Sequence, residues 1–223
     1  MLDEARSTES VGEKTYQRIR ADIVCGRLPP GGRLTLDRMR DAYEASVGTL
    51  RENLNRLSSE GLIVADGSRG FQVTPISAAN LREVAAMRCL LESHALRESF
   101  EAGDMEWEGS VVAAHRKLGA MERRMKGGER SQAQVWKQYD REFHRALISA
   151  CGSQVLMETH AVIYDRYLRY QMVAAVYRGD VASGEHRRLL DCALKRDWMG
   201  AQSTLTKHVN DCVKHMIDKR LVV

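Results

Sequence analysis

Residues 46–64 read SVGTLRENLNRLSSEGLIV, and their spacing decides the first third of the chain. Leu50, Leu54, Leu57 and Leu62 recur at helical intervals and form an apolar stripe, which turns Val47, Thr49, Arg51, Asn55 and Ser58 towards other faces. Ser46 is placed to cap the helix start, and the small residues Gly48 and Thr49 let that end approach a phosphate or a base edge. Arg51, one turn in, can fork onto a guanine or a phosphate. Taken alone, an arginine there is more commonly an exposed residue on a solvated helix.

Upstream of this segment lie a helical stretch at 14–25, the turn GRLPPGGR at 26–33, and a second helical stretch near 36–43. Downstream, 62–64 and 71–73 read as short strands around ADGSRG, a hairpin-tip composition. Helix, helix, helix, hairpin is the order of a winged helix-turn-helix, although an ordinary small α+β subdomain has the same order. All three prolines, Pro29, Pro30 and Pro75, lie in this part of the chain. From about residue 78 nothing forbids helix except glycine loops, with breaks expected at Gly103, Gly127-Gly128, Gly152, Gly179/Gly184 and Gly200. About six antiparallel helices follow, an all-α bundle, so the fold class is mainly α. The expected division is a flexible leader at 1–13, a winged helix at 14–76 and the bundle at 77–223, with Ser77 capping the first bundle helix.

Composition narrows the class without naming a partner. The 223 residues are 43% hydrophobic, enough to fill a core, which excludes a disordered tail protein. A net charge of +4 is too mild to announce nucleic acid. Residues 14–76 nevertheless hold ten basic against seven acidic side chains, an excess that the acidic 1–13 segment masks. Five cysteines with no C-x-x-C pair suit free thiols in a reducing cytosol. With no apolar leader and no uninterrupted apolar run of about 18 residues, neither export nor membrane insertion is expected, and the chain reads as cytoplasmic.

Seven histidines are present, each on its own more often a surface or satisfied core residue than a ligand. Their arrangement says more. Asp140 and His144 are four apart in WKQYDREFHRALI, one turn apart on one helical face. His186 opens GEHRRLLDCALKRD and His208 lies in the last helix, LTKHVNDCVKHM. Converged, these four would form an N3O shell suited to a divalent metal, zinc first, manganese or nickel next.

Residues 16–73 resemble the DNA-binding domain of GntR-type transcription regulators. The resemblance is carried by Gly26-Arg27-Leu28 with Pro30-Gly31-Gly32-Arg33-Leu34, by Leu50-Arg51-Glu52-Asn53-Leu54 with Arg56-Leu57, by Glu60-Gly61-Leu62-Ile63, and by Arg69-Gly70-Phe71-Gln72-Val73. It implies DNA contacts at Ser46, Thr49, Arg51, Arg69 and Gly70, with Arg38 a further candidate. Two departures stand out: Val47 replaces an arginine that the family often uses on bases, and Met39-Arg40 replaces a Leu-Ala pair, leaving open whether Arg38 or Arg40 faces the backbone.

The bundle is similar to the FCD effector domain that follows one branch of these DNA-binding domains. The matching residues are Asp140-Arg141-Glu142-Phe143-His144, Glu185-His186-Arg187-Arg188-Leu189 and His208. All four ligand positions are filled, which implies the metal-binding form of the domain. Arg88 matches an arginine that commonly faces the effector pocket in this family; by spacing it is equally a helix-surface partner of Glu92. The resemblance implies a homodimer that binds a short palindromic operator in double-stranded DNA, with a metal-anchored small carboxylate shifting its affinity. Two other classes compete: a metal-dependent hydrolase using the Asp/His3 site with Glu142 or Glu185 as base, and a helical adaptor with a structural metal.

Overall fold

The structure, a computed structural model, describes residues 10–65 and 70–222. The chain forms two compact units that divide between Ile76 and Ser77.

The first unit contains helix α1 (Val11–Val24), strand β1 (Arg33–Leu34), helix α2 (Leu36–Tyr43), helix α3 (Val47–Ser59), and strands β2 (Ile63–Ala65) and β3 (Phe71–Val73). The three strands form one antiparallel sheet in the order β1-β3-β2, with Arg33 opposite Gln72 and Ile63 opposite Val73. β1 was not anticipated, because two residues are too short to show a period. The chain enters it through Gly31, whose φ of 74° suits glycine and whose N–H donates to the Val73 carbonyl at 3.0 Å.

Leu50, Leu54, Leu57 and Leu62 are buried together with Tyr16, Ile19 and Ile23, so the leucine stripe of α3 is what packs that helix on α1. Polar clasps fix the same contact. Asn53 donates to the Gly12 carbonyl at 3.1 Å, Tyr16 donates to Glu60, and the Arg56 guanidinium lies 3.6 Å over the Tyr16 ring. α1 starts three residues ahead of the expected position 14, because the Ser10 hydroxyl accepts from Glu13 N–H at 3.1 Å. Residues 10–13 of the expected leader are therefore the cap and first turn of a helix. Residues 1–9 lie outside the described residues, as does Arg69.

The second unit holds six α-helices among the described residues: α4 (Ala78–Ala102), α5 (Met105–Lys126), α6 (Ala133–Leu147), α7 (Gln154–Val173), α8 (Asp180–Leu194) and α9 (Trp198–Asp218). A single 3-10 turn, Arg130–Gln132, precedes α6. α4 packs on α7 and α9, α5 on α6 and α8, and α8 on α9. Ser77, Asp104, Ser153 and Asp197 each accept a backbone N–H as side-chain caps. Two expected breaks fall inside helices: Gly184 lies within α8 and Gly200 in the first turn of α9. The break between these helices comes instead at 195–197, where Arg196 takes a left-handed φ of 58°. No helix of the described residues is long and apolar enough to cross a membrane.

Candidate metal centre and nucleic-acid interface

The start of α3 is the exposed end of the first unit. Ser46 Oγ accepts from Thr49 N–H at 3.2 Å and lies 3.0 Å from Thr49 Oγ1, so both hydroxyls are held at the helix N-terminus. Ser46, Val47, Gly48, Arg51 and Asn55 are exposed, with Thr49 half-buried. Arg51 and Arg38 are exposed and enter no ion pair among the described residues, whereas Arg40 leans on Asp41 at 3.4 Å and Arg56 on Glu13 at 2.7 Å. Arg38 and Arg51 are thus cations held on short helices and left open to an anion. Gly70 precedes β3 at a φ of 89°, a backbone that favours glycine at the base of the wing.

The second unit brings His144 from α6, His186 from α8 and His208 from α9 to one buried point. One ring nitrogen from each lies within 4.8 Å of the others. The ring centroids of His186 and His208 are 4.9 Å apart, and those of His144 and His208 are 5.4 Å apart. Asp140 reaches the cluster through His186: its Oδ1 lies 3.2 Å from His186 Nε2 without hydrogen-bond geometry. Two atoms bonded at about 2.0–2.1 Å to one tetrahedral zinc stand about 3.3 Å apart, so this spacing suits two ligands of a shared ion.

A carboxylate sits behind every ring. His186 Nδ1 pairs with Glu122 at 2.6 Å, His208 Nδ1 with Glu185 at 2.8 Å, and His144 Nδ1 with Glu92 at 3.4 Å. The Nε2 atoms of His144 and His186, and Nδ1 of His144 as well, are buried without a hydrogen-bond partner among the described residues. Buried unpartnered imidazole nitrogens with carboxylates close behind the rings fit the donor set of a metal centre. Sequence reasoning missed Glu122, which lies on α5, 64 residues from its partner; only its position in the fold reveals it.

The electrostatics agree with a cation at this point. Burial disfavours charge on His186, but Asp140 and Glu122 outweigh it and raise its pKa to about 9. Burial holds His208 down at about 3, against the pull of Glu185, and burial with Arg88 nearby lowers His144. Burial works against the charge of Asp140, yet Lys137 and then the histidines keep it well below the usual carboxylate range. The carboxylates thus favour positive charge at His186, while His144 and His208 are held neutral, the form in which an imidazole binds a metal.

Arg88 is fully buried, so it is not a surface residue. Its Nε donates to Glu92 at 2.7 Å, and its guanidinium stacks 4.5 Å from the Tyr164 ring centre and 4.8 Å from that of Tyr167. Its Nη1 is buried with no hydrogen-bond partner among the described residues. Glu92 also contacts His144 and, at 2.8 Å, His160, so Arg88 is one residue removed from the histidine cluster.

Neither base imagined for a hydrolase is free. Glu142 is bound to Lys117, and Glu185 is shared between His208 and Arg178, whose Nη2 lies 3.0 Å from it.

Residues 12–73 match the model for bacterial regulatory proteins of the gntR family, and residues 83–211 match the FCD domain. The HTH-type transcriptional regulator BphR of Paraburkholderia xenovorans (strain LB400) is 37% identical over 93% of this chain and 85% of its own length. The HTH-type transcriptional repressor GlaR of Escherichia coli (strain K12) is 25% identical over 87% and 90%. Among solved structures, E. coli McbR/YncC superposes with a TM-score of 0.79 at 18% identity, covering 96% of this chain and all of that one, a likeness of fold.

Proposed function

The chain belongs to the gntR family of bacterial regulatory proteins and carries its FCD domain; it is a DNA-binding transcription regulator, not an enzyme, and we propose that it is a metal-loaded, ligand-responsive repressor acting as a homodimer in the cytoplasm. Support for repression comes from relatives such as GlaR, whose name describes a repressor. In this reading the α3 start enters the major groove of operator DNA. Ser46 and Thr49 bind backbone phosphate, Arg51 forks onto a base or phosphate, and Arg38 adds a backbone contact. Arg69 and Gly70 contribute from the wing.

The observation that carries the metal reading is the convergence of His144, His186 and His208, each with a carboxylate behind it. With Asp140 they would hold a divalent ion, zinc first. Such an ion, when bound, supplies open coordination positions for water or a small carboxylate. Asp140 and the three imidazoles position that ligand, and Arg88, buried one contact away through Glu92, senses its charge. A ligand that prefers one arrangement of the bundle shifts the DNA affinity in proportion to that preference.

The test is metal analysis of untagged wild-type protein purified without chelator, followed by a melting-temperature screen of dicarboxylates, hydroxy acids and sugar acids with and without divalent metal. About one ion per chain and a metal-dependent shift support the reading. Protein that carries and takes up no metal sinks it.

A further inference from the structure

We propose that the cavity beside the histidine cluster selects a carboxylate with a ring-sized apolar body, its head held by Lys137 and the Trp136 indole N–H. The inference rests on the ligand-responsive reading above and specifies the ligand.

Two hollows of the second unit meet along α6. The inner one, next to Asp140, His186 and His208, has about 10 Å³ of free space, room for a single water. It shares Trp136, Lys137, Gln171 and Val176 with an outer cavity of about 420 Å³, a size typical of small-molecule sites. The outer walls are Met125, Met172, Val176, Leu221, Tyr177 and His215, and no carboxylate lines them. A ligand whose head reaches the junction must therefore put most of its body against thioether, aliphatic and aromatic surface, with His215 and Gln171 the polar side chains beside it.

The polar groups at the junction ask for an anion. Lys137 is buried, and the nearest carboxylate to its ammonium, Asp140 Oδ2, is at the long distance of 3.5 Å. Its ammonium also lies 4.1 Å from the Trp136 ring centre, which leaves it a donor with one long carboxylate contact and an aromatic face. Its neighbour Trp136 has a buried indole N–H with no acceptor among the described residues. An ammonium and an unmet N–H on adjoining side chains are both donors that a carboxylate can take up. Gln171 Oε1, also buried and unpartnered, offers an acceptor on the opposite wall, so a ring hydroxyl is tolerated.

Phenylacetate and acetate carry the same head and differ in the ring, so calorimetric titration of zinc-loaded protein with each tests the claim. Wild type binds phenylacetate at least tenfold more tightly than acetate, and Lys137→Met, compared at equal zinc occupancy, loses at least tenfold while Lys137→Arg recovers most of it. Because Lys137 touches Asp140, Ala133→Trp provides an independent variant: it fills the outer cavity, and phenylacetate binding falls at least tenfold with zinc retained. Equal affinity for the two acids, or wild-type affinity in both Lys137→Met and Ala133→Trp, overturns the inference. If succinate binds and phenylacetate does not, this inference alone fails; if no acid of any class binds, the ligand-responsive reading fails with it.

Discussion

Glu122→Gln isolates the contribution of the carboxylate behind His186 to the proposed metal site. Glu122 Oε1 lies 2.6 Å from Nδ1 of His186, whose ring is wholly buried, so the charge acts where water screens it little. Removing the partner of a metal-ligating histidine costs about 10–100-fold in affinity. Glutamine keeps the side-chain length and a carbonyl that still accepts from Nδ1–H, so the loss belongs near the lower bound, about tenfold or about 1.4 kcal/mol. Glu122→Ala removes charge and hydrogen bond together and belongs near the upper bound, about 2.7 kcal/mol. Zinc titration against a chromophoric chelator reads the affinity directly, and the melting temperature of the metal-free variants controls for folding. At equal free metal, the glutamine variant also loses about 1.4 kcal/mol of the metal-dependent stabilisation. Wild-type zinc affinity in both variants would refute the assignment of His186 as a ligand oriented by Glu122.

Arg51→Ala is expected to weaken operator binding at least tenfold, from a contact worth about 1–3 kcal/mol per subunit, while an exposed site leaves stability within about 0.5 kcal/mol; a mobility shift with the upstream DNA of its own operon, alongside thermal melting, checks both halves. His186→Ala should abolish the metal-dependent rise in melting temperature yet leave DNA binding by the metal-free protein intact, as read by melting and mobility shift with added chelator. Gly103→Ala would place a Cβ 2.5 Å from the Trp107 ring and 2.7 Å from the Ser99 carbonyl, so unfolding in urea should show a loss of about 1–3 kcal/mol. Burial raises the Cys89 thiol to about 11, which disfavours its thiolate. Its alkylation rate should therefore rise with a midpoint near pH 11, and because the folded value exceeds the unfolded one of about 8.5, its contribution to stability is lost as pH climbs through that window.

Local chemistry was legible in the sequence, and partnerships across the fold were not. The leucine stripe and the Ser46 cap of α3 are short-range features, and the helix, its burial and its capping bond all follow from them. The i,i+4 pair Asp140 and His144 likewise fixed which face of α6 turns inward. β1 escaped notice because its two residues are paired only by β3, nearly forty positions away. Gly184 and Gly200 misled because helix propensity is a weak prior: both sit in helices whose burial decides the matter. Glu122 and Lys137 have the composition of ordinary solvated helix residues. Their roles appear only once α5, α6 and α8 have packed, since burial and the identity of the neighbouring group are tertiary facts.

If the histidine cluster and its ligand govern the DNA-reading helix, fluorescence anisotropy of the protein on its own upstream DNA reads that coupling directly. Titrations are run with zinc alone and with zinc plus an acid already shown to raise the melting temperature. The expected result is a salt-sensitive Kd that changes at least about fivefold when the acid is added, and no such change in His186→Ala. An identical Kd in both conditions, with the acid demonstrably bound, would contradict it.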